Sequence, residues 1–143
     1  MAEVVEVLDR QTAALTLCDA HGRSLLTLAI TVTGNRKVAE RLTVRAIVEL
    51  SGQPDLCERL ELAEQRRELC RAVFHQAAAF RSRTRPDPEL PAPVRRLRNV
   101  PALNRLAVLL CVFGGHTLRQ LADLLELPEL DAAHLLRDGL QRI

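Results

Sequence analysis

Tryptophan and tyrosine are absent, and Phe74, Phe80 and Phe113 are the only aromatic residues in a chain of 143. A core without aromatics has to be built from Leu, Ala and Val, which favours packed helices over sheets, whose strands draw on aromatic and β-branched residues. Lysine is almost missing as well: Lys37 stands alone, the basic side is arginine, and the formal net charge is only +2. Such a balance excludes a strongly cationic nucleic-acid coat. Cys18, Cys57, Cys70 and Cys111 form no C-x-x-C pair. They are expected as buried, reduced thiols of a cytosolic protein, not as a disulfide framework or a metal set. No run approaches the roughly 20 apolar residues that span a bilayer, and residues 1–6 lack the basic start and apolar stretch of a secretory signal. A cytoplasmic protein with no membrane partner is expected.

What is present suffices for a folded core, with 48% hydrophobic and 27% charged residues, and the length suits one ordinary domain or two very small ones. Five of the seven prolines, Pro86, Pro88, Pro91, Pro93 and Pro101, fall within residues 85–102. Each removes a backbone donor and pushes the residue before it toward an extended conformation. Residues 84–99 therefore read as a Pro/Arg-rich linker between helical modules at 1–83 and 100–143. The fold class expected is all-α: two small helical modules, the second ending in a helix-turn-helix.

Apolar residues before the linker recur every three or four positions, which is helical spacing. Gly22 and the Thr33-Gly34-Asn35 stop predict helices near 2–20 and 23–33. A third run carries Val38, Leu42, Val44, Ile47, Val48 and Leu50 and ends near Ser51-Gly52. A fourth starts after Pro54-Asp55 and continues through Leu60, Leu69 and Phe80 to the Arg81-Ser82-Arg83 end. The second module opens with a helix over 102–113 that is apolar on nearly every side and closed by Gly114-Gly115. Thr117 then stands at an N-cap position ahead of a helix containing Leu118, Leu121, Ala122, Leu124 and Leu125, with Leu121 and Leu124 expected in its core. After the turn Glu126-Leu127-Pro128 a last helix begins at Glu129, giving two short helices and a turn behind a supporting helix.

The residues offer little to chemistry. No Gly-rich phosphate loop, nucleophile elbow or pair of acids in a cleft-forming context is present. His21, His75, His116 and His134 are scattered, and no pair has the i, i+4 spacing that puts two imidazoles on one helical face. Neither a catalytic residue, a metal site nor a cofactor is expected. Phe74 and Phe80, at helical spacing, read as core residues. Arg81, Arg83, Arg85, Arg95, Arg96 and Arg98 make a basic stretch that serves either a phosphate backbone or acidic partner, or only a solvated hinge.

From Val100-Pro101-Ala102-Leu103-Asn104-Arg105 through Phe113-Gly114-Gly115-His116-Thr117-Leu118-Arg119-Gln120-Leu121-Ala122-Asp123-Leu124-Leu125 the sequence resembles region four of bacterial RNA polymerase sigma factors of the extracytoplasmic-function type. The likeness runs to Ile143. The amino-terminal part is similar, more weakly, to sigma region two. Leu17-Cys18-Asp19-Ala20-His21-Gly22 stands at the first helices, Ala39-Glu40-Arg41-Leu42 at the polymerase-clamp helix, and Arg66-Arg67-Glu68-Leu69 through Arg83 at the helix that opens promoter DNA. The resemblance implies a part in transcription initiation, with RNA polymerase core and promoter DNA as partners. It implies DNA contacts by Arg119, His134 and Arg137, with Arg142 supporting.

Several positions depart from the family pattern. Arg41, Val44 and Arg45 replace acidic and Gln-Glu residues of the clamp helix, reversing part of its charge. Asp131, Ala133, His134 and Leu135 stand where the recognition helix carries Thr, Lys, Ser and Arg, which lose phosphate neutralisation and add repulsion. A second reading follows: a sigma-like protein-interaction module that binds another sigma factor or regulator and leaves DNA unread, with Arg41, Arg45, Leu130 and Leu135 as its partner-binding residues. Leu130, Leu135 and Ala133 exposed beside Glu129 and Asp131 favour protein binding. A positive surface joining Arg119, Arg137 and the linker arginines favours DNA.

Overall fold

The computed structural model describes residues 2–80 and 89–143, and every regular element among them is helical. In chain order they are α1 (Ala2–Thr33), α2 (Arg36–Ser51), α3 (Pro54–Arg59), α4 (Leu62–Phe80), α5 (Ala92–Arg98), α6 (Ala102–Val108) continued by one π-helical turn (Leu109–Phe113), α7 (Leu118–Leu125) and α8 (Glu129–Gln141). The all-α class expected from the aromatic-poor composition is what the chain adopts. No helix among the described residues is long and apolar enough to cross a membrane.

α1 runs through Gly22 without a break, where two helices were expected. A glycine ends a helix when its φ turns positive, and Gly22 is not among the glycines that do so. Its neighbours Leu17, His21 and Leu25 are buried, so packing outweighs the ~1 kcal/mol that a mid-helix glycine costs relative to alanine. The stop comes at Gly34, with φ +70. A Cβ there would also lie 2.7 Å from the Arg98 guanidinium carbon, so that side chain would have to shift. Asn35 then caps α2 by accepting from the Val38 amide at 3.1 Å.

α2 turns Ala39, Leu42, Ala46, Ile47 and Leu50 inward against α1 and α4. The fourth apolar run is two helices, not one. Leu60 is extended (φ −84, ψ 135), and Glu61 starts afresh, its amide donating to the Glu64 carboxylate at 3.2 Å, so α3 is a short turn and α4 the long element. The Arg81-Ser82-Arg83 end lies outside the described residues. Phe74 is half-buried and packs against both apolar clusters of the protein. The side chain of Phe80 is outside what the structure describes.

The proposed linker is only partly a linker. Its first residues, 84–88, lie outside the described part. Pro91 and Pro93 occupy the start of α5, where a missing amide costs nothing. Leu90, Val94, Leu97 and Val100 are buried, and the Arg98 guanidinium donates to the carbonyl of Thr31 at 2.9 Å. This stretch is a bracket against the end of α1, not an extended spacer. Its arginines divide accordingly: Arg95 and Arg96 are exposed, while Arg98 is half-buried and structural.

The two halves share a core. One cluster joins Leu17, Leu25, Leu28, Ile47, Leu69 and Val73 to Val94, Leu97, Val108 and Leu109. A smaller cluster holds Ala107, Leu110, Leu121, Ala122 and Ala132. α6 and its π-helical turn thus lie between the two, Val108 and Leu109 feeding the first and Ala107 and Leu110 the second. The helix expected over 102–113 changes character at Leu109, where the amide of Gly114 reaches back five residues to the Leu109 carbonyl at 2.9 Å. It is less enclosed than expected, since Leu103 and Val112 are exposed.

Candidate functional site

The C-terminal helices are positioned by local chemistry. Thr117 caps α7: its hydroxyl accepts from the Gln120 amide at 3.2 Å, and the Gln120 side chain accepts from the Thr117 amide at 2.9 Å, a reciprocal capping box. Glu126 ends α7 with φ 55, and Pro128 fixes the entry to α8. α8 lies on α6 through Gly139, where a Cβ would meet the Asn104 carbonyl oxygen at 2.8 Å. Asn104 also donates its side-chain amide to the Leu135 carbonyl at 3.1 Å.

This packing decides which side chains face outward. Arg119, His134, Arg137 and Arg142 are all exposed, with the Arg137 guanidinium 4.0 Å from the Asp138 carboxylate. Leu130 is 67% exposed, between exposed Glu129 and Asp131. Leu135 differs from expectation. It is half-buried and packs with Leu125 and Leu136 on the second cluster, so it contributes little to an outer surface, and Ala133 is also half-buried. Leu124 is a further correction: it is 50% exposed, because the inward side of α7 is taken by Leu121 and Ala122.

Over residues 118–142, Arg119, Arg137 and Arg142 stand against Asp123, Glu126, Glu129, Asp131 and Asp138, a net charge of −2 with His134 neutral. A shallow groove of about 360 Å³ beside these residues is lined by Leu118, Ala133, Leu136, Leu140 and Gln141, with Arg137 as its one charged side chain. The stretch is therefore acidic overall, while the groove itself is apolar with a single cation.

Arg41 and Arg45, the other partner-binding candidates, are exposed on α2. With Lys37, Val44, Val48 and the carboxylate of Glu40 they line a groove of about 730 Å³. α2 packs on α1, α3 and α4, whereas α8 packs on α6 and α7. The two candidate partner surfaces accordingly belong to different groups of helices.

Two buried histidines escaped sequence reasoning. Arg66 Nε donates to His21 Nδ1 at 3.2 Å, which leaves the ring proton on Nε2, facing Gln65 Oε1 at 3.1 Å. Gln65 in turn donates to the Cys57 carbonyl at 3.1 Å. This polar chain ties α1, α3 and α4 together. Burial first, and then the Arg66 charge, hold His21 below its ordinary pKa. His116 places Nδ1 3.1 Å from the Gly114 carbonyl, so Nδ1 carries the proton and buried Nε2 is left without a hydrogen-bond partner. Burial, and then Arg71 and Arg67, lower its pKa too. The His21 network leaves no sequence signal, since His21 and Gln65 are 44 residues apart, whereas the His116 contact spans only two residues.

The cysteines are not uniformly buried. Cys57 and Cys70 are buried, Cys111 is half-buried, and Cys18 is exposed on α1. Burial pushes the Cys70 thiol up to about 12, which keeps it protonated and unreactive. Among the described residues no three His, Cys, Asp or Glu side chains are grouped to hold a metal ion. No protein-family model matches the chain, and no curated protein or solved structure matches it either.

Proposed function

We propose that the protein is a sigma-like helical module in the control of transcription initiation that acts by binding another protein and does not read promoter DNA. The resemblance of residues 100–143 to sigma region four supplies the setting. The observation that carries the choice of protein over DNA is the first turn of α8, where exposed Leu130 stands between Glu129 and Asp131. A major-groove helix needs donors for base edges and cations for phosphates at that end. Two carboxylates there repel phosphate, and a leucine offers an apolar anchor of the kind protein interfaces use.

A second reading keeps one observation in its favour: Arg119, His134, Arg137 and Arg142 are all solvent-accessible and suited to backbone contacts. On that reading the protein is a divergent sigma factor that contacts polymerase core and promoter DNA.

The test uses the full chain as bait against polymerase core, the host's sigma factors and regulators, and DNA duplexes. Protein binding predicts one stoichiometric protein partner whose capture is lost in Leu130→Glu, with no DNA retention that varies between about 50 and 200 mM salt. Co-purification of core polymerase together with transcription from a defined promoter overturns it in favour of the second reading.

A further inference from the structure

Among the described residues the outer face of α2 stays exposed. α2 already buries Leu42, Ala46, Ile47 and Leu50 inward, yet Val44 and Val48, four residues apart on the opposite side, are 60% and 56% exposed. Lys37, Arg41 and Arg45 alternate with them, each four residues from the next, so the cations climb the helix at about 6 Å intervals. None of the three takes part in an ion pair among the described residues. The two carboxylates of the helix are occupied: Glu40 sits 3.3 Å from Arg36, and Glu49 accepts from Gln76 at 3.2 Å. The stripe is therefore apolar with a net positive charge, Lys37, Arg41 and Arg45 standing against Glu40, which is paired with Arg36.

We infer that this stripe is a docking site for an acidic amphipathic helix of another protein, an inference that rests on the protein-binding reading above. Charge complementarity selects the occupant. Carboxylates repeating every four residues on a partner helix share the 6 Å spacing of Lys37, Arg41 and Arg45, and its Leu or Met side chains cover Val44 and Val48 in the groove. A phosphate backbone would satisfy the cations and leave the valines in water, which favours a peptide over a nucleic acid. The site differs in sign from the acidic end of α8, so the protein carries two partner surfaces of opposite charge.

The experiment titrates the full chain into fluorescently labelled helical peptides of about 20 residues, long enough to hold helix, and follows anisotropy. One peptide carries Glu at every fourth position beside a Leu stripe, its counterpart carries Lys, and a DNA duplex serves as competitor. The expected result is binding of the Glu peptide about tenfold tighter than the Lys peptide, weakening with salt. Arg41→Glu with Arg45→Glu, and separately Val44→Ser, should each cost about tenfold without changing the thermal midpoint, since these residues are exposed. Equal binding of both peptides overturns the inference, as does displacement of the Glu peptide by the duplex. A salt-sensitive rise in the protein's own mass, abolished by Arg45→Glu, also overturns it and gives the groove to a second copy. Leu130→Glu separates the two proposals. It should leave peptide binding intact, so a failed titration here leaves the α8 reading standing, and loss of α8 capture leaves this one standing.

Discussion

Replacing Gly139 by alanine tests the packing of α8 directly. A Cβ at this position would lie 2.7 Å from Val108 Cγ2, 2.8 Å from the Asn104 carbonyl oxygen and 3.3 Å from its carbon. Ordinary carbon contacts are about 3.5–4.0 Å, so α8 must retreat from α6 by roughly 0.7 Å to admit the methyl group. A gap of that size forfeits about a quarter to a half of the dispersion energy of the contacts it opens, here those of Ala132 and its neighbours on the second cluster. Overpacking of this kind costs about 1–3 kcal/mol, and helix propensity returns about 1 kcal/mol for Gly→Ala. The net expectation is a loss of up to about 2 kcal/mol, or as much as roughly 4–8 °C in Tm for a chain of this size. Gly22→Ala is the control. Its Cβ would meet only the Cys18 sulfur, at 3.2 Å, a side-chain end that can rotate aside, so the propensity gain survives and Tm should rise. Melting both variants by circular dichroism at 222 nm, with urea midpoints alongside, reads the two signs. A Tm for Gly139→Ala that rises as far as that of Gly22→Ala would refute the close approach of α8 to α6.

Leu121→Ala should cost about 2–5 kcal/mol as a core truncation, because Leu121 is 0% exposed. Leu124→Ala, on the outward side of α7, should cost less than about 1 kcal/mol; urea midpoints that place the two variants together would sink the assigned helix orientation. Stability should fall with acidification. His21 and His116 are held below their ordinary value of 6.5, so the unfolded chain takes up protons first. Their contribution is complete above about pH 6.5 and is lost as pH falls through the folded-state values. Melting curves between about pH 7.5 and 5 should show the decline, and His21→Gln with His116→Asn should flatten the slope whatever it does to the absolute midpoint. Parallel pH profiles of parent and double variant would contradict the assignment.

Elements bounded by strong local chemistry could be read from residues alone. α2 lies between the Gly34-Asn35 stop and Ser51-Gly52, α7 starts at the Thr117 cap, and α8 follows Pro128, all as the turn and capping residues indicate. Where the decision is tertiary, local patterns misled. Gly22 looks like a terminator until Leu17, His21 and Leu25 are seen buried around it. α5 is seven residues long, too short for periodicity to show, and its prolines resemble those of a spacer because proline starts a helix as readily as it prevents one. Leu124 faces outward and Leu135 is half-buried for one reason. An apolar repeat of three and four permits two orientations of a leucine-rich helix, and only the neighbouring helix chooses between them. The candidate cations were easier, since long charged side chains seldom bury, and Arg119, Arg137 and Arg142 are exposed. Arg98 is the exception, drawn down by the free carbonyl of Thr31 at the end of α1.

The bracket formed by α5 bears on how this chain can be taken apart. Val94, Leu97, Val108 and Leu109 are seated among side chains of α1, α2 and α4, so a cut between the halves would strip the longer fragment of its lid and leave the shorter one holding wet leucines. Unfolding should therefore run as one event, not two. A two-hybrid or truncation screen that divides the molecule at its prolines would be sampling sticky debris, and any partners it returned would report on that wound instead of on the intact surface.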